Sequence, residues 1–268
     1  MNGPATSRRR EMTRYYHSTQ WRFGGGDRMT YTVQRLILAN CAVFGLQLLL
    51  DVVFGLRVAH GAFAAPPGGL FARWLAFWPA GFLAGALWQP FTYMFLHGSL
   101  LHLFLNMLWL FFFGKDVERA LGTRAFLRFY LTCGAVGVLA TFLPAMLWGA
   151  ASVTGASGAV MGVLVAFAVI NPEREFFLFP LPMPINARAL VLIVIAMNVL
   201  LALQPGNTSV ATHFGGMAVG FLYMKTIPLL LDLQRRQMSK QPRANGGQDK
   251  VADAVDNIFK FKDKRRGD

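Results

Sequence analysis

Acidic side chains are scarce in this sequence. Only 13 Asp and Glu stand among 268 residues, against 26 Lys and Arg. None lies between Asp51 and Asp116, between Glu118 and Glu173, or between Glu175 and Asp232. Charged residues amount to 15% of the chain, whereas ordinary soluble domains carry about 25%. That shortage excludes a disordered chain and a coiled coil, both of which need charge. Cysteine is nearly absent too: Cys41 and Cys133 are too few for a disulfide framework, so a secreted disulfide scaffold is excluded. What is abundant is apolar: 54% of the residues are hydrophobic, with 24 Phe, 12 Met and 6 Trp. Runs of roughly 20 apolar residues alternate with short polar breaks, as a hydrocarbon layer about 30 Å thick requires. The composition predicts an all-α polytopic membrane protein.

Six apolar segments are candidate membrane helices: approximately 33–54, 90–113, 125–147, 157–170, 187–204 and 210–231. The first 29 residues are polar and basic with no apolar core, so no cleavable signal peptide is expected. Of the 26 Lys and Arg, 24 fall on one side of this arrangement, and only Arg57 and Arg73 on the other. The positive-inside rule then puts both termini in the cytoplasm and the connection 55–89 outside. The domains expected are a basic N-terminal segment 1–30, a six-helix membrane domain 31–231 and a basic cytoplasmic tail 232–268, with one short helix near 249–262. The net charge of +13 is thereby a topological signal rather than a nucleic-acid surface. The connection 55–89 is rich in aromatics such as Phe71, Trp74, Trp78 and Phe82, which suits the membrane interface.

The fourth segment is too short. Its 14 residues, before Asn171-Pro172 ends it, make a helix of about 21 Å. The preceding stretch 149–156 is small and polar and predicts non-helical backbone at membrane depth, tolerated only inside protein or beside water. Ser157 therefore starts a helix inside the membrane, either as a mere N-cap or as a functional hydroxyl beside unpaired N–H groups. Other rare polar residues sit at the same depth. His97, His102 and Asn106 lie in the second segment, and His213 begins the sixth. Since the second, fourth and sixth segments all run inward from outside, these residues converge on the outer half of the membrane. His102 and Asn106, four apart, share a helix face.

A serine and a histidine on facing helices suit a nucleophile and its general base. The spans are almost free of carboxylates, with Asp51 at the end of the first, and none is placed to orient the histidine, so the pair would act as a dyad. Gly155 and Gly158 give the backbone freedom to expose the hydroxyl, and His102, Asn106 and the Ser157 N–H could stabilise an oxyanion. Gly216 and Gly220 form a Gly-x-x-x-Gly that would bring the sixth helix close enough for His213 to reach Ser157.

These strings resemble the rhomboid family of intramembrane serine proteases. The resemblance rests on His97-Gly-Ser-Leu-Leu-His102-Leu-Phe-Leu-Asn106, on Gly155-Ala-Ser157-Gly158, on His213-Phe-Gly-Gly216 with Gly220, and on Gly114-Lys-Asp-Val-Glu118 followed by Leu121-Gly122. It covers about 33–231 and implies a six-helix bundle with a shortened fourth helix. It further implies Ser157 as nucleophile, His213 as base, His102 and Asn106 as oxyanion-stabilising residues, and His97 as an accessory histidine. Where some members stack an aromatic ring under the base, this chain has Met161. The substrates implied are transmembrane proteins within the bilayer of, for a bacterial-type member, the inner membrane. No cofactor or metal is expected: no His-Glu-x-x-His occurs, and no pair of Asp lies within the spans. A small-molecule transporter and a catalytically inactive client-binding relative are the alternatives, and oligomeric state is left open.

Overall fold

A computed structural model describes residues 29–53, 74–149, 152–176, 184–203 and 209–240. The expected tail helix near 249–262 lies outside them. The chain divides into a compact unit, Met1–Lys225, and a second unit, Thr226–Asp268.

The architecture is helical. Helix α1 is Tyr31–Val53, and the short helices α2 (Pro79–Leu83) and α3 (Gln89–Thr92) belong to the connection that follows. Helix α4 (Leu100–Trp109) continues through a π-turn, Leu110–Gly114, into α5 (Lys115–Leu121). Helix α6 (Thr123–Gly137) passes through a 3₁₀ turn into α7 (Phe142–Trp148). Then come α8 (Ser157–Ile170), a two-residue antiparallel pair of β1 (Glu175–Phe176) with β2 (Ile185–Asn186), α9 (Ala187–Ala202) and α10 (Ser209–Lys240). Among the described residues, three helices are long and apolar enough to cross a membrane: Tyr31–Leu50, Leu100–Leu121 and Thr123–Trp148. Ser157–Ile170 and Ala187–Ala202 are shorter apolar helices.

The polarity is distributed as in a membrane protein. Leu100, Leu101, Phe104, Met146, Leu192 and Leu200 point outward, while Asn40, Gln89, His97, Asn106, Ser157 and Asn198 are buried. With lipid as apolar as leucine, only the polar residues gain by turning inward. At the centre stands α8, with Gly158, Gly162 and most of its other residues buried against α6, α9 and the α4–α5 helix.

Close approach around α8 is made by glycine. A Cβ on Gly216 would run into the Gly158 carbonyl, and one on Gly220 would meet the Gly162 carbonyl. Gly158-x-x-x-Gly162 of α8 thus lies backbone to backbone against Gly216-x-x-x-Gly220 of α10. Gly215 makes the same kind of contact with Gly137 of α6. In lipid, such contacts replace the hydrophobic drive by van der Waals packing.

Charge is used at the other end. Both carboxylate oxygens of Glu118 accept first-turn N–H groups of α1, from Thr32 and Val33, each at 3.0 Å. Each such bond to a charged acceptor contributes about 1.5–3 kcal/mol, and the carboxylate also suits the positive end of α1. Asp116 takes the Arg119 and Arg174 guanidiniums at 3.1 and 2.5 Å, tying α5 to the residues after α8.

One sequence expectation is corrected here. The second span was expected to run from 90 to 113, but its helix begins at Leu100, with Ser99 as N-cap accepting from the His102 N–H at 3.1 Å. His97 precedes the helix rather than lying in it. Tyr93–Phe95 forms a 3₁₀ turn and the break follows at 96–99, where Gly98 and Ser99 are local signals that hydropathy averaged over the whole span hides. The backbone groups freed there are satisfied from α1: Gln47 Nε2 donates to the His97 carbonyl at 3.0 Å, and Gln47 Oε1 accepts from the His97 N–H at 3.4 Å. The helix also continues past 113 to Leu121 through the π-turn.

Candidate active site

The segment leading into α8 is non-helical, and its backbone groups find partners. Val153 and Phe77 form a β-bridge, with N–H to carbonyl distances of 2.7 and 3.1 Å. The Gly155 N–H donates to the Tyr93 carbonyl at 2.9 Å. Gly155 has φ +117°, a region that side chains disfavour, and a Cβ there would strike the His102 imidazole. Glycine is therefore required at 155 on two counts.

Ser157 is the first residue of α8, and the residue in the N-cap place is Ala156, which has no side-chain cap. The bland reading of Ser157 as an N-cap is therefore not what the structure contains. Its hydroxyl lies 2.8 Å from His213 Nε2 instead. The first N–H to bond back within this turn is that of Val160, to the Ala156 carbonyl at 3.0 Å. The N–H groups of Ser157, Gly158 and Ala159 thus precede the first intrahelical bond and point toward the start of the helix, at its positive end. Ser157 is 8% exposed.

His213 is held from its other side as well. Its Nδ1 lies 2.7 Å from Asn198 Oδ1 on α9, and Asn198 Nδ2 donates to the Val194 carbonyl at 2.8 Å. Ser157, His213 and Asn198 make a hydrogen-bonded line across α8, α10 and α9. Sequence reasoning missed Asn198, although an amide inside an apolar span is the same signal that picks out Asn106.

The remaining residues singled out from sequence occupy distinct places. His102, on α4, lays its ring against Gly155, two residues before Ser157. Asn106 is buried one turn further along, and its Nδ2 donates to the His102 carbonyl at 3.0 Å, leaving a second hydrogen to donate elsewhere. His97 is buried with its ring 5.2 Å from that of His102, and neither of its ring nitrogens has a partner among the described residues. Met161 is half-buried in the apolar cluster one turn beyond Ser157. Gly158, Gly216 and Gly220 form the α8–α10 contact already described. Among the described residues, no group of three His, Cys, Asp or Glu stands together as a metal site would need.

A bundle of apolar helices that buries a serine against a histidine, beside non-helical backbone, defines a class of membrane protein with an internal Ser–His pair. A family model described as the Rhomboid domain matches residues 84–228, and the chain belongs to the rhomboid family. It is 33% identical over 147 residues to Rhomboid protein 1, mitochondrial, of Saccharomyces cerevisiae, covering 53% of this chain and 42% of that protein. It is 32% identical over 162 residues to Rhomboid protease GlpG of Pectobacterium atrosepticum, covering 58% and 55%. Rhomboid protease GluP of Bacillus subtilis is 33% identical over 138 residues, covering 51% and 25%. The matched segment spans between a quarter and just over half of these relatives' own lengths.

Proposed function

We propose that this chain is an intramembrane serine endopeptidase that cuts transmembrane segments of other membrane proteins near their outer ends. The observation that carries the reading is the 2.8 Å contact between Ser157 Oγ and His213 Nε2, buried within apolar helices. His213 Nε2 takes the hydroxyl proton as Oγ attacks the scissile carbonyl, and the proton passes on to the leaving amine as the C–N bond breaks. Water then hydrolyses the acyl-enzyme by the same relay. The Ser157 N–H, the Asn106 amide and the His102 imidazole stabilise the oxyanion. The six helical segments serve as the six spans of a membrane domain, 31–231, between cytoplasmic segments 1–30 and 232–268, in a bacterial inner membrane. The split of 24 to 2 in Lys and Arg supports both termini being cytoplasmic.

The substrate follows from the site's depth. A stable helix hides its carbonyls in i→i−4 bonds, and exposing each in lipid costs several kcal/mol. Good substrates are therefore transmembrane segments already weak near the outer end, with Gly, Pro or small polar residues there. The test uses the full chain in proteoliposomes with a single-span substrate, the cut mapped by mass spectrometry. Leu in place of the weak residues should slow cleavage, and Gly or Pro placed in a resistant segment should create it. A cut mapped to the cytoplasmic end would overturn the orientation.

Asn106 gives a second expected result. Asn106→Ala should lower kcat about 100-fold with little change in KM, as loss of one oxyanion donor does. A large rise in KM at unchanged kcat would instead assign Asn106 to substrate binding.

A further inference from the structure

We infer that Asn198 is a positioning residue that holds His213 in the one tautomer able to act as base, so that the working unit is Ser157–His213–Asn198 across three helices. The inference deepens the protease reading and rests on it. It follows from which atom of Asn198 faces the ring. The amide nitrogen is committed to the Val194 carbonyl at 2.8 Å. Flipping the amide would set its oxygen against that carbonyl, acceptor against acceptor. Oδ1 is therefore the atom 2.7 Å from His213 Nδ1, and an amide oxygen can only accept. Nδ1 must then carry the hydrogen. In a neutral imidazole that leaves Nε2 bare, and Nε2 is the nitrogen 2.8 Å from Ser157 Oγ.

Burial strengthens the assignment. Asn198 is 4% exposed, so water does not compete for its oxygen. Two further asparagines, Asn40 and Asn106, also donate Nδ2 to the carbonyl four residues back, at 2.7 and 3.0 Å. This back-bond fixes the amide relative to its own helix. In Asn198 it aims the oxygen at His213 on another helix, so the register of α9 sets the direction of the base.

The test uses the full chain in detergent micelles and proteoliposomes. Asn198→Ala should lower kcat about 10- to 100-fold with KM changed less than about threefold, a milder loss than the roughly 10⁴-fold of a buried aspartate orienter. Asn198→Asp, buried and protonated so that its O–H replaces Nδ2–H toward the Val194 carbonyl while the other oxygen still accepts from Nδ1, should recover most of that loss. ¹⁵N NMR of histidine-labelled protein, with His213 assigned by His213→Ala, should show Nδ1–H in the unsubstituted chain and mixed tautomers in Asn198→Ala. Asn198→Leu, which keeps the site apolar and filled, should behave as Asn198→Ala does. If the alanine variant keeps both kcat and tautomer while Ser157→Ala is inactive, the role of Asn198 is overturned and the protease reading stands. If alanine and aspartate lose activity equally, together with melting temperature, Asn198 is only a tie between helices and the proposal falls. If the unsubstituted chain cleaves nothing yet shows an Asn198-dependent Nδ1–H tautomer, the positioning stands and the protease reading falls.

Discussion

Replacing Ser157 by alanine is expected to abolish cleavage of every transmembrane substrate the intact chain cuts, while the protein stays folded in the membrane. The change removes one oxygen from a residue at the first position of α8, where it caps nothing. The helix loses no backbone hydrogen bond, so stability should be nearly unchanged. The reaction, however, loses its nucleophile, and the Oγ is the atom within 2.8 Å of His213 Nε2. Removing a nucleophile of this kind costs on the order of 10⁶ in kcat. A fluorophosphonate should label the intact chain and leave Ser157→Ala unlabelled. In the intact chain, rate should fall at acid pH as His213 becomes protonated, since imidazolium cannot accept the serine proton. Chelators should change nothing. Proteolysis at the normal rate by Ser157→Ala, or loss of activity to EDTA restored by zinc, would overturn the mechanism.

The second large effect comes from a residue without a side chain. Gly216→Ala should lower activity by 100-fold or more and lower the melting temperature in detergent. A single methyl there would collide with the Gly158 carbonyl of α8. Two backbones cannot relieve that overlap by changing rotamer, so the helices must separate, at a cost near the upper end of the about 1–3 kcal/mol typical of overpacking. Separation acts directly on the site, because Ser157 sits beside Gly158 on α8 and His213 lies one turn before Gly216 on α10. A displacement of roughly 1 Å between reacting groups can cost 100-fold in rate. Gly45→Ala is the matched control: a Cβ at Gly45 meets nothing within 4 Å, and a mid-helix Gly→Ala change is favourable by about 1 kcal/mol. If Gly216→Ala melts and cleaves like the intact chain, close packing of α8 on α10 is not what joins the pair.

Much of this protein is written in one dimension. The bilayer imposes a length and an apolar composition on each crossing, so α1, α8 and α9 can be read as runs between polar breaks, and α8 begins and ends where its small-residue lead-in and Asn171-Pro172 place it. The same solvent makes buried polarity costly, and this is why Ser157, His213, His102 and Asn106 stand out without any structure. Averaged hydropathy runs over the interruption before Leu100, although His97, Gly98 and Ser99 mark it, because Tyr93–Leu96 before it and Leu100 and Leu101 after it are apolar. What licenses that stop is Gln47, fifty residues away on α1, which satisfies the freed backbone of His97. Nor could a sequence motif say that Gly158-x-x-x-Gly162 faces Gly216-x-x-x-Gly220, since a spacing of small residues names a face and not its partner. Asn198 was visible as an amide in an apolar span, but its contact with His213 Nδ1 depends on the rotation of α9 against α10. Composition and period decide which residues leave the lipid, whereas the packing of three helices decides which of them meet. Hydrogen bonds reach about 3 Å, so only the tertiary structure could assign the base its orientation.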